Sequence, residues 1–440
     1  MFIQKGELIK AVKEAKAFTT KKGNLTILAN VVINAPEKTI RSTDLEAYFS
    51  KPLEIVPGEV PGKKPFESNL PEKSELEELK IDQLKNIAGG VDLTGLTKKD
   101  DIVFAIFEAW EGEIDAEIKA MEPPAEIFCI SADAFMKILK ADDTEDSQMI
   151  EIIVNHEDRS VNIGEKFKNI LTSAPEDFPD APEIGSPVEI CSVSGSTLKK
   201  TRLIIPSDEK RAHMICSCFD CAKNTLVSTN GKMLIAVDVP MESEAKLLIG
   251  SVTLGKIATL SLKENIVVAG HSRTSDVKKD EAELPLEASA VETYFNYVSF
   301  TAGTSEIITA PHDGEFPDYE GILKPGEHIL TIGSEKLKKL IAQSSVLTDD
   351  TYNGAIFNFN GGLKVDMHHP LKGRFNTPVE IPYVKGKILD PIEIGLNPEN
   401  LAIALNGVDG DKFEISLTDN KHPVVFSSEN YKAFVMPMKL

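Results

Sequence analysis

One unit of this sequence reads Ser131-Ala132-Asp133-Ala134-Phe135-Met136-Lys137-Ile138-Leu139-Lys140-Ala141 and is followed by Met149–Asn155 and Ser160–Ile163. The first stretch predicts an amphipathic helix, because Phe135, Ile138 and Leu139 fall at positions i, i+3 and i+4. The two later stretches are rich in β-branched residues and flank a polar turn, which predicts a hairpin. The unit therefore combines one helix with a pair of antiparallel strands.

Similar units recur along the chain. Further helices are predicted at Gly6–Phe18, Ser196–Arg202, Ile249–Leu260, Ser334–Val346 and Asn397–Asn406, and further strands at Leu25–Ile33, Thr39–Thr43, Ala355–Phe359 and Leu363–Met367. Repetition of helix-plus-strand units without a regular βαβ alternation predicts an α+β fold of repeated domains. We expect domains at 1–183, 184–325 and 326–440.

One segment departs from the pattern and is interpreted as an insertion in the first domain. Residues 59–122 are rich in Pro, Gly and Glu and then in helix-forming residues. They contain 8 Lys and no Arg against 16 Asp and Glu, a net charge of −8. The segment predicts a small all-α domain of acidic character.

Composition restricts the function classes. The 440 residues carry 48 Lys and Arg against 69 Asp and Glu, a net charge of −21. A protein this acidic does not hold nucleic acid through its net charge, so any such role needs lysines gathered on one surface. Five cysteines form no disulfide framework in so long a chain, which favours a reducing cytoplasm. The absence of a long apolar run predicts no membrane span.

Catalytic and metal-binding motifs are scarce. The chain lacks the G-x-S-x-G and H-E-x-x-H motifs of common hydrolases. His213, Cys216, Cys218 and Cys221 are of the ligand types that bind zinc, so a zinc-dependent nucleic-acid enzyme is one alternative. The competing interpretation is a buried strand in which the cysteines act as small apolar residues. The pair His368–His369 is expected at a solvated loop end.

Lysines recur on the predicted helices although the chain as a whole is acidic. They lie beside the apolar stripe of each helix rather than within it, as Lys137 and Lys140 do in the unit quoted above. Most charged helix faces are simply solvated. Because these lysines recur at equivalent places in repeated domains, we expect them to lie together on one cationic surface of an otherwise acidic protein.

The last eight residues, Ala433–Leu440, resemble the end of the bacterial DNA polymerase III beta subunit family, the sliding clamps. Five further landmarks follow the order of that family: Leu25–Asn30, Ser42–Glu46, Asp177–Pro179, Ser228–Leu234 and Asp313–Tyr319. Together they extend over nearly the whole chain apart from the insertion. The resemblance explains the repeated units.

The resemblance implies a non-catalytic DNA polymerase processivity factor without a cofactor. It implies a head-to-tail homodimeric ring of three clamp domains per subunit, with sheets outside and helices around a hole for double-stranded DNA. The implied partners are duplex DNA, the polymerase catalytic subunit, the clamp loader and other clamp-motif peptides. By position, the implied DNA-binding residues are Lys10, Lys13, Lys22, Lys137, Lys140, Lys199, Lys200, Arg202, Lys336, Lys338 and Lys339.

The family also has an apolar peptide-binding pocket between its second and third domains. The matching positions are Met214, Thr229, Gly231, Lys232, Met233, Leu234, Pro317, Gly321, Ile322, Val435, Met436, Pro437, Met438, Lys439 and Leu440. Methionines and branched aliphatic residues suit an adaptable groove. Lys232-Met233 replace the common His-Arg of the family, and Gly321 replaces a basic residue, so the preferred peptides are expected to differ.

The insertion has a resemblance of its own. Leu76–Ala88 and Lys98–Ile106 are similar to the helix-extension-helix modules of the Rho terminator and SAP type, which often contact nucleic acid. The net charge of −8 over residues 59–122 favours protein docking or a spacer role instead. A clamp-like paralogue that recruits a different enzyme through this insertion is therefore a second alternative.

Overall fold

The computed structural model describes residues 1–21, 24–57, 98, 101–106, 109, 126–202, 204, 214–260, 265–272, 295–377, 381–388, 390–408 and 410–439. Most of the insertion lies outside these residues. Within the insertion, residues 101–106 are helical, and Ile102, Val103 and Ile106 are buried.

Six helices carry the apolar stripes predicted from the sequence. They are α1 (Lys5–Lys16), α2 (Ala132–Ala141), α3 (Gly195–Arg202), α4 (Ser251–Leu260), α5 (Ser334–Ser345) and α6 (Pro398–Asn406). Side-chain caps fix two of the starts: Ser131 accepts from the Ala134 amide at 3.5 Å, and Asn397 accepts from the Glu399 and Asn400 amides.

The strands fall into three groups of similar order. The first repeat contains β1 (Phe2–Gln4), β2 (Asn30–Asn34), β3 (Thr39–Thr43), β4 (Ala47–Pro52), β5 (Ile55–Val56), β6 (Ile127–Ser131), β7 (Met149–Asn155), β8 (Ser160–Ile163) and β9 (Phe167–Leu171). The second contains β10 (Val188–Ser194), β11 (Cys216–Asp220), β12 (Thr225–Thr229), β13 (Met233–Asp238), β14 (Lys246–Gly250), β15 (Asn265–His271), β16 (Tyr297–Ala302) and β17 (Ser305–Thr309). The third contains β18 (His328–Gly333), β19 (Ala355–Phe359), β20 (Gly362–His369), β21 (Gly373–Asn376), β22 (Ile381–Pro382), β23 (Ile392–Leu396), β24 (Lys412–Leu417), β25 (Val424–Ser428) and β26 (Tyr431–Val435).

Each repeat is built from two halves, and each half runs strand, helix, then three main strands; the first and third repeats each add one two-residue strand, β5 and β22. The first strand of each half pairs with a strand from the other half of the same repeat. Thus β1 pairs with β7, and β10 pairs with β15. This exchange ties the two halves of a repeat into one unit. The predicted α+β fold of three repeated units is thereby confirmed.

Two sheets continue from one repeat into the next. One has the order β10-β15-β16-β17-β4-β3-β2-β6 and the other β14-β11-β12-β13-β26-β25-β24-β18. The joining pairs are β4 with β17 and β13 with β26. The remaining two sheets, β5-β1-β7-β8-β9 and β21-β20-β19-β23, belong to the first and third repeats alone. The expected boundaries at 183/184 and 325/326 fall between β9 and β10 and between β17 and β18, and they stay a prediction.

The helices cover one face of these sheets and bury their apolar stripes there. Leu8 of α1, Leu254 of α4 and Leu401 of α6 are fully buried in one continuous apolar cluster that extends through all three repeats. Burial of this surface is the main source of stability for the fold. Polar contacts also join the repeats: Glu14 of α1 accepts hydrogen bonds from Lys51 and, across the first junction, from Ser305.

Two local predictions were wrong. Residues 26–29 form a turn of 3₁₀ helix before β2 rather than the first half of a strand, and the carbonyl of Leu28 accepts a hydrogen bond from the amide of Thr20. The second error concerns His369. It is buried in β20, with Nε2 2.6 Å from Asp349, while its neighbour His368 is exposed on the opposite face. A solvated loop end therefore describes neither residue.

In the part of the chain that the structure describes, no helix is long and apolar enough to cross a membrane.

Candidate functional site

A small apolar groove of about 160 Å³ opens at the junction of the second and third repeats. Its walls come from the β12–β13 turn, the segment after β17 and the end of β26. The lining residues are Met214, Thr229, Gly231, Met233, Leu234, Phe316, Pro317, Asp318, Tyr319, Ile322, Phe434 and Met436. Ile322 and Met436 are 36% and 41% exposed, so apolar side chains stand at the opening. Such a surface favours an apolar ligand.

Alternation along β11 places the groove on the face away from the helices. Phe219 packs into the helix-side core. Cys216 and Cys218 point the other way and pack in a separate apolar cluster with Phe316 and Tyr319. Because successive side chains of a strand project to opposite faces, the groove and the helices lie on opposite sides of the same sheet.

The β12–β13 turn is held rigid by its own side chains. Asn230 Oδ1 accepts hydrogen bonds from the amides of Lys232 and Met233 at 2.9 and 2.8 Å. Thr229 Oγ1 donates to the Met233 carbonyl and accepts from the Gly231 amide. Gly231 has φ +80°, and a Cβ there would lie 3.2 Å from Met214 Cε. Glycine therefore both permits the turn and leaves room for the groove.

A buried polar contact anchors the floor of the groove. Tyr319 is 1% exposed, and its hydroxyl donates to Asp220 Oδ2 at 2.8 Å. Lys246 and Lys223 lie 3.4 and 3.6 Å from the same oxygen, so the buried carboxylate has compensating charges. Burial, and then the neighbouring Asp220, raise the pKa of Tyr319, which keeps the phenol protonated as a donor.

The structure brings together part of the predicted pocket. Met214, Thr229, Gly231, Met233, Leu234, Pro317, Ile322 and Met436 line the groove. Val435 is buried in β26, while Lys232, Gly321, Pro437, Met438 and Lys439 do not line it. The Met438 amide donates instead to the Gly395 carbonyl at 2.8 Å, so the terminus continues towards β23. Leu440 lies outside the described residues.

Four lining residues were missed among the site residues predicted from sequence. These are Phe316, Asp318, Tyr319 and Phe434. All four belong to the landmark stretches Asp313–Tyr319 and Ala433–Leu440, so the signal was present. Phe316, Tyr319 and Phe434 are buried in the apolar cluster that contains Cys216 and Cys218, and no local pattern reveals that packing.

The helices carry a set of exposed cationic side chains. Lys10 and Lys13 are exposed on α1, Lys137 and Lys140 on α2, Lys199 and Arg202 on α3, and Lys336 and Lys339 on α5. Among the described residues, no carboxylate lies within ion-pair distance of any of these lysines. Their charge is therefore available to an external anion. Lys22 lies outside the described residues.

Other basic residues of the helices are engaged within the protein. Lys338 is half-buried, with its amino group 3.4 Å from the Val408 carbonyl and 5.7 Å from the ring centre of Phe413. Lys200 is half-buried as well. Lys256, the single lysine of α4, pairs with Asp44 of the first repeat. α6 carries no lysine, so the cationic surface is uneven.

The cysteines pack as apolar residues. Burial raises the pKa of Cys216 and Cys218 to about 12 each, which disfavours the thiolate that a metal needs. Cys221 lies in the helix-side core rather than with them. His213 lies outside the described residues. Within the described ranges, no group of three His, Cys, Asp or Glu residues is placed to hold a metal.

Comparison with known proteins relates this arrangement to one group. No family model matches the chain. The beta sliding clamp of Pseudomonas putida is 24% identical over 350 residues, which cover 75% of this chain and 87% of that protein. The beta sliding clamp of Pseudomonas aeruginosa is 27% identical over 150 residues, 33% of this chain and 40% of that protein.

Solved structures agree over the full length. The DNA polymerase sliding clamp from Bacillus subtilis superposes with a TM-score of 0.71 at 13% identity and covers 100% of this chain and 98% of that one. The DNA polymerase III beta subunit from Thermotoga maritima gives 0.69 at 15% identity, with 100% and 99% covered. Fold and sequence together show that the chain has the sliding clamp fold and is a homologue of the bacterial beta sliding clamps.

Proposed function

We propose that this protein is a non-catalytic processivity clamp, a ring of two copies that encircles duplex DNA and tethers a polymerase to it. The ring needs no cofactor. Five free, buried cysteines suit a reducing cytoplasm as its location. The observation that carries the proposal is a pair of open sheet edges, β9 and β21, which correspond to the strands that join the repeats within the chain.

Both internal junctions follow one rule. Ala47, the first residue of β4, pairs with Thr309, the last residue of β17. Met233, the first residue of β13, pairs with Val435, the last residue of β26. In each case the last strand of a first half meets the last strand of a second half, antiparallel.

One first half and one second half have a last main strand without a partner of this kind among the described residues. β21 ends the first half of the third repeat, and β9 ends the second half of the first repeat. The same rule pairs the start of β21 with the end of β9 of a second copy. Two copies then form two identical junctions and a closed ring of six repeats. Leu171 at the end of β9 is 78% exposed and Leu371 just before β21 is 91% exposed, as expected of surfaces that a partner covers.

The exposed lysines supply the DNA contact in this proposal. Ammonium groups attract phosphates without reading the bases, so binding is independent of sequence and the ring stays mobile along the duplex. Residence then depends on enclosure rather than on affinity. The remaining surface is acidic enough to give a chain charge of −21, which keeps DNA away from the outside.

The apolar groove supplies the tether to polymerase, clamp loader and other partners. It lies on the face opposite the helices, so a bound peptide leaves the DNA surface free. Aliphatic and methionine side chains adapt to several apolar sequences. The position of the groove, its walls from two repeats and its rigid turn support this role.

Cross-linking tests the ring. Leu171→Cys combined with Arg374→Cys places one thiol on each proposed edge, and the native cysteines are all buried. A short bismaleimide should convert the double variant into a covalent dimer. When both junctions are cross-linked, the ring is closed covalently and should retain circular DNA after loading.

The matched control moves the second thiol to the other edge of the same sheet. Leu171→Cys with Glu393→Cys places it on β23, about three strand spacings from β21, so it should not cross-link. Each single variant should also stay uncoupled. Equal cross-linking of the β23 control, or a strictly monomeric protein at micromolar concentration, would exclude the proposed ring.

The role of the insertion stays a prediction. Residues 59–122 lie mostly outside the described residues, and their net charge of −8 favours protein docking or a spacer role. Comparing processivity with and without residues 59–122 separates a replicative clamp from a paralogue that recruits another enzyme. A clamp with normal processivity after deletion supports the first.

A further inference from the structure

A second cleft lies in the first repeat, far in sequence from the apolar groove. It has a volume of about 550 Å³ and is formed by β2, β3 and β6, the β7–β8 turn and the segment after β9. Polar and cationic side chains contribute to it, among them Arg41, His156, Arg159 and Thr172. Its chemistry therefore differs from that of the apolar groove.

Arg41 projects into this cleft from the face of β3 away from the helices. Its neighbours Ile40 and Ser42 face inward: Ile40 is fully buried in the core, and Ser42 donates to the Ala15 carbonyl of α1 at 2.7 Å. Alternation along the strand therefore turns Arg41 outward. The cleft lies on the same side of the molecule's sheets as the apolar groove, away from the cationic helix surface.

Arg41 Nε is buried without a hydrogen-bond partner. In the described part of the chain, only one other buried side-chain nitrogen or oxygen shares this condition, Thr39 Oγ1 on the same face of β3. Among the described residues, the carboxylate within ion-pair distance of the Arg41 guanidinium is that of Glu37, with Oε2 3.9 Å from Nη1. An unsatisfied buried donor costs free energy, so an acceptor in the cleft would stabilise this arrangement.

A second guanidinium, that of Arg159, lines the cleft from the β7–β8 turn. Arg159 has φ +51°, and its carbonyl accepts hydrogen bonds from both the amide and the hydroxyl of Thr172 at 2.9 Å. Its side chain lies 3.7 Å from Glu176, and both are about two-thirds exposed. A contact this exposed is weak and exchangeable. The backbone is therefore held in place, while the guanidinium can take another anion.

We propose that this cleft binds an acidic peptide segment of a partner protein, through a carboxylate held by Arg41 and Arg159. The planar guanidinium fork matches a carboxylate in two hydrogen bonds. Val32, Ile127 and Val154 add an apolar part to the lining, so an acidic residue next to an aliphatic one fits best.

The cleft suits a peptide better than a nucleic acid. Of the residues that line it in the described structure, none is Phe, Tyr or Trp, so it lacks the large aromatic rings that typically stack on bases. It is a concave site with two guanidinium groups rather than a line of basic residues. Its position away from the exposed helix lysines also separates it from the proposed DNA surface.

The test uses the full chain labelled at arginine with ¹⁵N. An acetylated Glu-Leu-Glu peptide should shift the Nε–Hε resonance of Arg41, and Arg41→Gln should weaken its binding by about tenfold or more. Arg41→Lys, which keeps the charge but removes the fork, should lose most of the same affinity. Lys421→Gln removes an exposed charge in the third repeat and should leave binding unchanged.

Other results would overturn the proposal. These are equal binding of a Gln-Leu-Gln peptide, unchanged affinity in both Arg41 variants, or a larger Arg41 shift with a single-stranded oligonucleotide. Inorganic phosphate at equal ionic strength should compete only weakly, and full competition would mark a simple anion site. The proposal does not depend on ring closure, because peptide binding can be measured whether or not the protein retains circular DNA.

Discussion

Removing the Tyr319 hydroxyl tests whether the buried polar contact holds the groove. Tyr319→Phe keeps the ring against Phe316, with centroids 6.0 Å apart, but takes away the 2.8 Å hydrogen bond to Asp220. A hydrogen bond to a buried charged group contributes about 1.5–3 kcal/mol. We expect the free energy of unfolding in urea to fall by that amount and the affinity for a clamp-motif peptide to fall several-fold.

Tyr431→Phe is the matched control. Tyr431 is equally buried, and its hydroxyl donates at 2.8 Å to a neutral acceptor, the Ala404 carbonyl, away from the groove. Loss of a neutral hydrogen bond costs about 0.5–1.5 kcal/mol, and peptide affinity should not change. If Tyr319→Phe destabilises no more than Tyr431→Phe, or binds peptide normally, Asp220 does not anchor the groove.

The same contact predicts a pH dependence. Burial, with Asp220 beside it, raises the pKa of Tyr319 above the usual 10.0. The folded protein then holds the phenolic proton more tightly than the unfolded chain does. Its contribution to stability is complete below pH 10 and is lost as the pH rises above that value. Tyr319→Phe should therefore lose less stability than the parent protein between neutral pH and about pH 11.

Three further predictions concern the two binding surfaces. Met436→Ala should weaken peptide binding about tenfold in a titration because it removes apolar surface at the groove, whereas Met438→Ala should not; equal effects would contradict the assigned lining. Lys199→Glu with Lys336→Glu should make the salt dependence of DNA affinity shallower by about 0.9 in log–log slope for each phosphate that is no longer neutralised, and an unchanged slope would place these lysines away from DNA. Gly231→Ala should destabilise the protein by about 1–2 kcal/mol in urea unfolding, since φ is +80° there; a neutral result would show that the turn relaxes.

Local pattern predicted the repeated elements well. The helix at Ala132–Ala141 and the strands Met149–Asn155 and Ser160–Ile163 agree with the sequence periodicity nearly residue for residue. Their amphipathic spacing is set by burial on one face, which is a local property of the chain. Residues 26–29 were mistaken for strand because a short apolar run does not distinguish strand from 3₁₀ helix.

Interactions between distant segments were not predictable in the same way. The exchange of first strands between halves, the pairing of β4 with β17 and the Tyr319–Asp220 hydrogen bond all join residues far apart in sequence. The burial of His369 was missed because its partner, Asp349, belongs to a different segment of the chain. The groove was located through resemblance, whereas its lining depended on which residues the fold buries.

Strand pairing across the junctions has a consequence for assembly. An interface between two different edges, β9 and β21, does not by itself limit the number of copies, because each added copy presents a fresh edge. The angle between successive repeats decides whether a row of subunits closes into a ring. A substitution that alters the bend at β4 and β17 would therefore yield larger circles or open filaments instead of single subunits.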